Sequence, residues 1–208
     1  ADLMSDEVRA AVGDITFTSA TDGNHGKGLA WAARKLGFPC VIYVHKLTSQ
    51  ARIAAIAEYE AEVRVVDGNY DDAVRQCEQD ARANGWQVVS DTSWPGYEDI
   101  PMAVMQGYTT LLSETQEQLA AQGVIKPTHI FLQAGVGAFA AAMIAFYEKL
   151  FGADAPVTVV VEPRAAACLY HSLQVGDGQP HSVSGDLDTI MAGLACGEPS
   201  PLAWDILW

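Results

Sequence analysis

Two rhythms of apolar residues alternate along this chain. Short β-branched or apolar runs stand at residues 15–18 (ITFT), 40–44 (CVIYV), 63–66 (VRVV), 86–90 (WQVVS), 129–133 (HIFLQ) and 157–161 (VTVVV). Between them lie longer stretches whose apolar positions recur every three to four residues, with capping signals at their ends. The first such stretch leaves a polar, glycine-dense turn at residues 22–26 and stops at Gly37, the usual place for a glycine just beyond a helix. The second covers about 49–61, with Ser49 as candidate cap and Ile53, Ile56 and Ala57 as a buried stripe. A third, 69–84, has Asn69 as cap, Asp71 and Asp72 well placed in its first turn, and Gly85 after it. Strands alternating with helices of this length predict βαβ units, a mostly parallel sheet and right-handed crossovers: an α/β fold. The run at 40–44 is too apolar to leave one face in water and predicts a strand covered on both sides.

Further on, residues 94–100 read as a loop. Pro101 suits the first turn of a long helix to about residue 122, with apolar positions 104, 105, 108, 111, 112, 115 and 119, closed by Gly123 and Pro127. A strand at 129–133, a turn at 134–138, a helix at 139–151 and a strand at 157–161 follow, then Glu162-Pro163, a helix at about 164–174 and a loop with Gly176, Gly178, Pro180 and Gly185. Residues 1–14 read as a connector or the end of a helix. The last eight residues, PLAWDILW, have no polar tail and, as the end of a complete domain, would expose Trp204, Ile206, Leu207 and Trp208. The chain therefore reads as cut at both ends.

Composition narrows the function. Half of the 208 residues are hydrophobic, enough for a sizeable core. The formal charge of −14, from 12 Lys and Arg against 26 Asp and Glu, argues against a nucleic-acid footprint or an anionic membrane surface, and so favours small-molecule chemistry. No apolar run has the length of a membrane span, and residues 1–13 lack the core of a signal peptide, so a cytoplasmic location is the expectation. Four scattered cysteines (Cys40, Cys77, Cys168, Cys196) form no metal-binding pair. Mostly free thiols are expected, with a bridge between Cys168 and Cys196 left open.

Two strand–turn–helix passages carry candidate chemistry. In each, bare backbone N–H groups and the positive end of a helix dipole meet at one spot, and glycines let a ligand approach the main chain. The first, Asp22-Gly23-Asn24-His25-Gly26, fits neither a Walker A loop nor the dinucleotide fingerprint. Asn24 offers an amide donor suited to a phenolate oxygen, though it also suits a local turn. His25 reads first as a structural hydrogen-bonder beside that turn. The second passage, Gly135-Val136-Gly137-Ala138, has two readings. With Ala140 and with Glu162 at the end of the next strand, it imitates a dinucleotide site whose Glu holds a ribose hydroxyl. Alternatively its amides hold the phosphate of another cofactor. Asp22 and Asp91 both fall beyond the carboxyl ends of strands, where parallel sheets bind ligands; as plain structure they would be a helix cap and a turn residue.

The first turn and its Gly28-Leu-Ala-Trp-Ala-Ala helix, Asp91-Thr-Ser-Trp-Pro-Gly-Tyr97, Gln133-Ala-Gly-Val-Gly-Ala138, and Ile190-Met-Ala-Gly-Leu-Ala-Cys-Gly-Glu-Pro199 together resemble the fold type II pyridoxal-phosphate enzymes, and within them the diaminopropionate ammonia-lyase family. The resemblance covers nearly the whole chain. It implies a three-layer small domain over residues 15–100 after the connector 1–14, a connecting helix at 101–123, and part of a large domain at 124–208. It implies pyridoxal 5'-phosphate as cofactor, its phosphate on Gly135, Val136, Gly137 and Ala138 and its ring oxygen on Asn24 beside Gly23. Asp22 would then take the α-proton from the D isomer, and Asp91 would bind or activate the substrate, with Thr21 and His25 on the substrate side. A carboxylate suits a departing β-ammonium by charge and hydrogen bonding. The activity implied is α,β-elimination of 2,3-diaminopropionate (D, L or both) to pyruvate and ammonia, in a homodimer; no residue is assigned to a metal.

The chain departs from this pattern in one respect. The Schiff-base lysine of such enzymes precedes the asparagine turn, and no lysine precedes Ile15; Lys27, Lys35, Lys46, Lys126 and Lys149 all lie within or after the turn. The polar group that faces the pyridine nitrogen, normally near the C-terminus, is absent as well. The expectation is a piece of such an enzyme, inactive alone. The readings that stay open are a related serine or threonine ammonia-lyase, a nicotinamide-dependent oxidoreductase, and a non-catalytic binding module.

Overall fold

The computed structural model describes residues 3–21 and 23–208. The chain divides into two compact units, one ending at Ser90 and the other running from Asp91 to Trp208.

In the first unit, strands β1 (Phe17–Ala20), β2 (Cys40–His45), β3 (Glu62–Val66) and β4 (Gln87–Val88) form one parallel sheet in the order β3-β2-β1-β4. Helices α1 (Asp6–Val12), α2 (Asn24–Leu36), α3 (Gln50–Ala57) and α4 (Tyr70–Asn84) complete the unit. As its composition predicts, β2 is buried at all six positions. Ile42 and Val44 pack with Ala30, Ala33 and Ile56 of α2 and α3, whereas Val41 and Tyr43 pack with Ala73 and Cys77 of α4. The period-2 alternation of a strand thus feeds two cores, and three layers result.

The helix ends follow local chemistry. Asn69 and Asp72 form a reciprocal capping box on α4, the Asp72 amide donating to Asn69 Oδ1 (3.0 Å) and the Asn69 amide to Asp72 Oδ2 (2.9 Å). Gly37 closes α2 with a left-handed backbone, and Arg9 of α1 donates to its carbonyl at 2.8 Å, a cation where the helix dipole favours one. Ser49 occupies the cap position of α3 but makes no side-chain capping bond, and α3 ends at Ala57, four residues short of the expected 61.

The second unit contains helices α5 (Asp99–Ala121), α6 (Ala138–Phe151), α7 (Cys168–Val175) and α8 (Pro201–Leu207), with β5 (His129–Gln133) and β6 (Val157–Val161) paired in parallel from His129↔Val157 to Gln133↔Val161. The expected helix at 164–174 is a short 3₁₀ turn, Arg164–Ala166, followed by α7. Extended backbone at Pro163 and the capping of α7 by Glu162 account for that break.

The expected exposure of the last residues is corrected at Trp204. Ser200 and Pro201 open α8, and Trp204 is 2% exposed, its indole N–H donating to the Gly178 carbonyl at 2.9 Å. Trp208 remains exposed. All four cysteines are buried thiols, and no disulfide joins Cys168 to Cys196. No helix among the described residues is long and apolar enough to cross a membrane.

Candidate active site

One glycine-rich turn belongs to each unit. In the first unit the turn follows the carboxyl end of β1. Asp22 lies outside the described residues, so the structure says nothing of the carboxylate expected to act there. Thr21 is buried, and its hydroxyl accepts from the amides of Gly23 and Gly26, each at 3.2 Å. It therefore takes the place of a capping side chain at the start of α2, whose own cap position, Gly23, has no side chain to offer. Gly23 has φ +155°, a backbone that favours glycine, and Arg52 Cδ would stand 3.6 Å from a Cβ there. Gly26 is required by packing: a Cβ would collide with Thr21 Cγ2 and stand 3.1 Å from Ile42 Cγ2. Asn24, the first residue of α2, is exposed. His25 Nε2 donates to the Val89 carbonyl at 2.8 Å, joining α2 to the chain just past β4. That bond is the structural role its position suggested. Lys27 lies over the Tyr59 ring at 5.9 Å.

At the opposite edge of this sheet, where β2 begins, a cavity of about 280 Å³ is lined by Arg34, Gly37, Phe38, Cys40, Tyr59 and Glu60. Parallel sheets bind ligands beyond the carboxyl ends of their strands, so the turn after β1 remains the better site.

In the second unit the turn lies between β5 and α6. Gly137 has φ +100° and is the cap residue of α6, which has no side-chain capping bond. Its first-turn amides have no carbonyl partner within the helix, and the helix dipole reinforces them. Val136, Gly137 and Ala138 are buried, and Gly135 is half-buried. The motif at residues 190–199 wraps behind this loop. Cys196 Sγ lies 3.1 Å from where a Gly135 Cβ would be, and the Ser200 amide donates to the Val136 carbonyl at 2.8 Å. Cys168 Sγ stands 3.6 Å from the Gly135 carbonyl. Burial pushes the Cys168 thiol up to about 12, which leaves it inert at neutral pH.

Glu162 decides between the two readings of this loop. Its carboxylate accepts from the amides of Leu169 (2.9 Å) and Tyr170 (2.8 Å) and so caps α7. Burial raises its pKa, and those two amides oppose the rise. Each oxygen accepts one of these amides, so Glu162 has a structural role as the cap of α7 that accounts for it without a ribose, and the dinucleotide reading loses its main support. The loop itself suits a phosphate: glycines at the points of closest approach, a helix N-terminus behind, and no internal acceptor.

Asp91 is half-buried. Its charge, after burial, raises the pKa of the neighbouring Tyr108 phenol, and the Tyr108 ring meets Phe139, the second residue of α6, edge-on at 5.5 Å. The charge of Asp91 is thus felt at an aromatic pair that reaches the start of α6. Among the described residues no group of three or more His, Cys, Asp or Glu side chains could hold a metal ion. Sequence reasoning missed Tyr108, Ser93 and Ser200. A signal existed for the last: Ser followed by Pro before an apolar run marks a helix start.

With this cradle in place, the class follows: the chain belongs to the pyridoxal-phosphate dependent enzyme family, whose model matches residues 3–207. Among particular relatives, it is 48% identical over 205 residues to the diaminopropionate ammonia-lyase of Salmonella typhimurium, covering 99% of this chain and 51% of that protein. Two crystal structures of the Escherichia coli diaminopropionate ammonia lyase, the selenomethionine holo form and a complex with D-serine, superpose with TM-scores of 0.86 at 48% identity; each match covers 94% of this chain and 48% of the other. The chain spans about half the length of the relatives it matches.

Proposed function

We propose that this chain forms part of a pyridoxal-phosphate-dependent ammonia-lyase that eliminates ammonia from 2,3-diaminopropionate, giving pyruvate and a second ammonia. The observation that carries the proposal is the loop Gly135–Ala138, built as a phosphate cradle while Glu162 is committed to capping α7, in a chain 48% identical to diaminopropionate ammonia-lyase. The amides of Gly135, Val136, Gly137 and Ala138 would hold the cofactor phosphate, and Asn24 its ring oxygen. The cofactor supplies an electron sink that acidifies the α-carbon of a bound amino acid.

The rest is work for side chains. Asp22 takes the α-proton of the D isomer, and Asp91 binds the substrate and assists departure of the β-ammonium by charge and hydrogen bonding. Thr21 and His25 shape the substrate side of the first turn through their bonds to Gly23, Gly26 and Val89. Residues 15–100 serve as the small domain, 101–123 as the connecting helix and 124–208 as part of the large domain of a cytoplasmic homodimer. None of the chain's lysines occupies the position of the cofactor lysine, which we assign to the half of the relatives' length that this chain does not span.

The test is to express the longest open reading frame containing these residues, titrate it with pyridoxal phosphate while recording the visible absorbance of the bound cofactor, and measure pyruvate from D- and L-diaminopropionate. Cofactor uptake and pyruvate release are expected. Asp22→Asn should cut turnover of the D isomer by about 10²–10⁴-fold with cofactor uptake retained. Unaltered turnover removes Asp22 from the mechanism, and a protein that takes up no pyridoxal phosphate sinks the reading.

A further inference from the structure

Two buried serines outside both turns tie the Asp91 segment to the glycine loop of the same unit. Ser93 is 3% exposed and Ser200 fully buried. The Ser93 amide donates to Ser200 Oγ at 3.0 Å, and the two hydroxyl oxygens lie 2.9 Å apart. Ser93 Oγ also accepts from the Leu202 amide at 2.9 Å. Each hydroxyl thus accepts one amide, and one of them donates to the other. Ser200 is the cap residue of α8 but makes no side-chain capping bond to it. Ser93, far away in sequence, supplies that bond.

The other side of Ser200 reaches the cradle. Its amide donates to the Val136 carbonyl at 2.8 Å, inside the glycine loop. Beyond it, α8 presses on the same loop: a Cβ on Gly137 would meet Leu207 Cδ1 at 3.2 Å and Ala203 Cβ at 3.4 Å. Ser93 stands two residues from Asp91. The charge of Asp91 also acts on Tyr108, whose ring packs on Phe139 at the start of α6. The carboxylate segment and the cradle therefore share α8 as a common buttress, and the two hydroxyls are the joint between them.

We propose that Ser93 and Ser200 are a positioning pair that holds the Asp91 carboxylate in register with the Gly135–Ala138 loop, through Ser93–Ser200–Val136 hydrogen bonds. The inference rests on the function proposed above. Neither hydroxyl needs to touch substrate. The pair fixes the distance between the group that meets the substrate and the amides that hold the cofactor, and errors of about 1 Å in such a distance are costly.

The test uses Ser93→Ala and Ser200→Ala in the full-length gene product. Without cofactor, hydrogen exchange at Val136, Gly137 and Ala138 should quicken about tenfold, as for loss of one buried hydrogen bond, while amides of β2 stay unchanged. The Kd for pyridoxal phosphate should rise about tenfold in both variants, although Ser93 lies outside the loop. With diaminopropionate, kcat should fall more than KM rises, and the pH–rate profile should move because Asp91 is displaced. Ser93→Cys, near-isosteric with a weaker donor, gives intermediate values and serves if an alanine variant does not fold. Lowered thermal stability with unchanged loop exchange, cofactor Kd and pH profile overturns the pair's role and leaves a structural bond only. An unsubstituted protein that takes up no pyridoxal phosphate overturns the functional reading and this role with it, a result distinguishable from the first.

Discussion

The two strand–turn–helix passages look alike in sequence and differ in how they satisfy the helix N-terminus. At the start of α2, Thr21 turns its hydroxyl back onto the amides of Gly23 and Gly26, and His25 fastens the turn to Val89. At the start of α6 the cap residue is Gly137, and no side chain caps the helix. The first turn is internally closed and presents side chains; the second is open and presents amides. A carboxylate or amide that must meet a substrate belongs on the first kind, a cofactor phosphate on the second. The glycines differ in the same way. Gly26 is there so that α2 can lie against Thr21 and Ile42, whereas Gly137 is there because its φ of +100° turns the loop between Leu169, Ala203 and Leu207.

The largest effect that would break this contrast is on the open turn. Gly137→Val puts a β-branched side chain at positive φ and into that three-sided contact, at a cost of about 3 kcal/mol. The loop should lose its shape, and the Kd for pyridoxal phosphate should rise about a hundredfold or more, read by cofactor titration of the full-length protein. Retained cofactor affinity would show that the phosphate is held elsewhere.

Gly26→Ala, at the closed turn, should act on stability instead. The collision with Thr21 Cγ2 forces α2 off the sheet, and about 2 kcal/mol of stability should go, seen as a lowered urea midpoint, while cofactor Kd changes less than about threefold. A large loss of cofactor affinity with intact stability would reverse the roles given to the two glycines.

Much of this was legible in sequence because the strongest signals are local. The all-buried β2, the Asn69 cap with acids in the first turn of α4, and both turns follow from runs of a few residues. The features that sequence left unread depend on partners far along the chain. Glu162 ends its strand as a ribose-binding acid would, and only its bonds to Leu169 and Tyr170 show it to be a cap. Trp204 looked exposed because its acceptor, the Gly178 carbonyl, lies in a loop without periodicity. Ser93 and Ser200 are unremarkable residues until folding places their hydroxyls 2.9 Å apart. Asp22, the sharpest chemical expectation, lies outside the described residues and rests on its motif.

The smallest effect compares one half-buried carboxylate in each unit under acid. Asp80 of α4 accepts a hydrogen bond from Tyr43 and pairs with Arg64 at 3.0 Å. The Tyr43 bond, with help from Gln76 and Arg64 against burial, holds its pKa below the usual 3.8. Glu162 goes the other way, burial raising it above 4.5 despite two amide donors. For Asp80 the unfolded chain binds the proton first, so its contribution is present above pH 3.8 and is lost as pH falls through the lowered folded value. For Glu162 the folded chain binds the proton first, so its contribution is full below pH 4.5 and is lost as pH rises through the raised folded value. Acidification from neutrality should therefore first slow hydrogen exchange in α7 and only later, below pH 3.8, quicken it in α4, after correction for the intrinsic pH dependence of exchange. Asp80→Asn should reduce the second change, leaving the share of Asp72 in the capping box of the same helix, and Glu162→Gln should abolish the first alone. If both helices loosened together through one acid step, the two carboxylates would be titrating as parts of a single cooperative unit, and the contrast between a closed and an open half would not extend to stability.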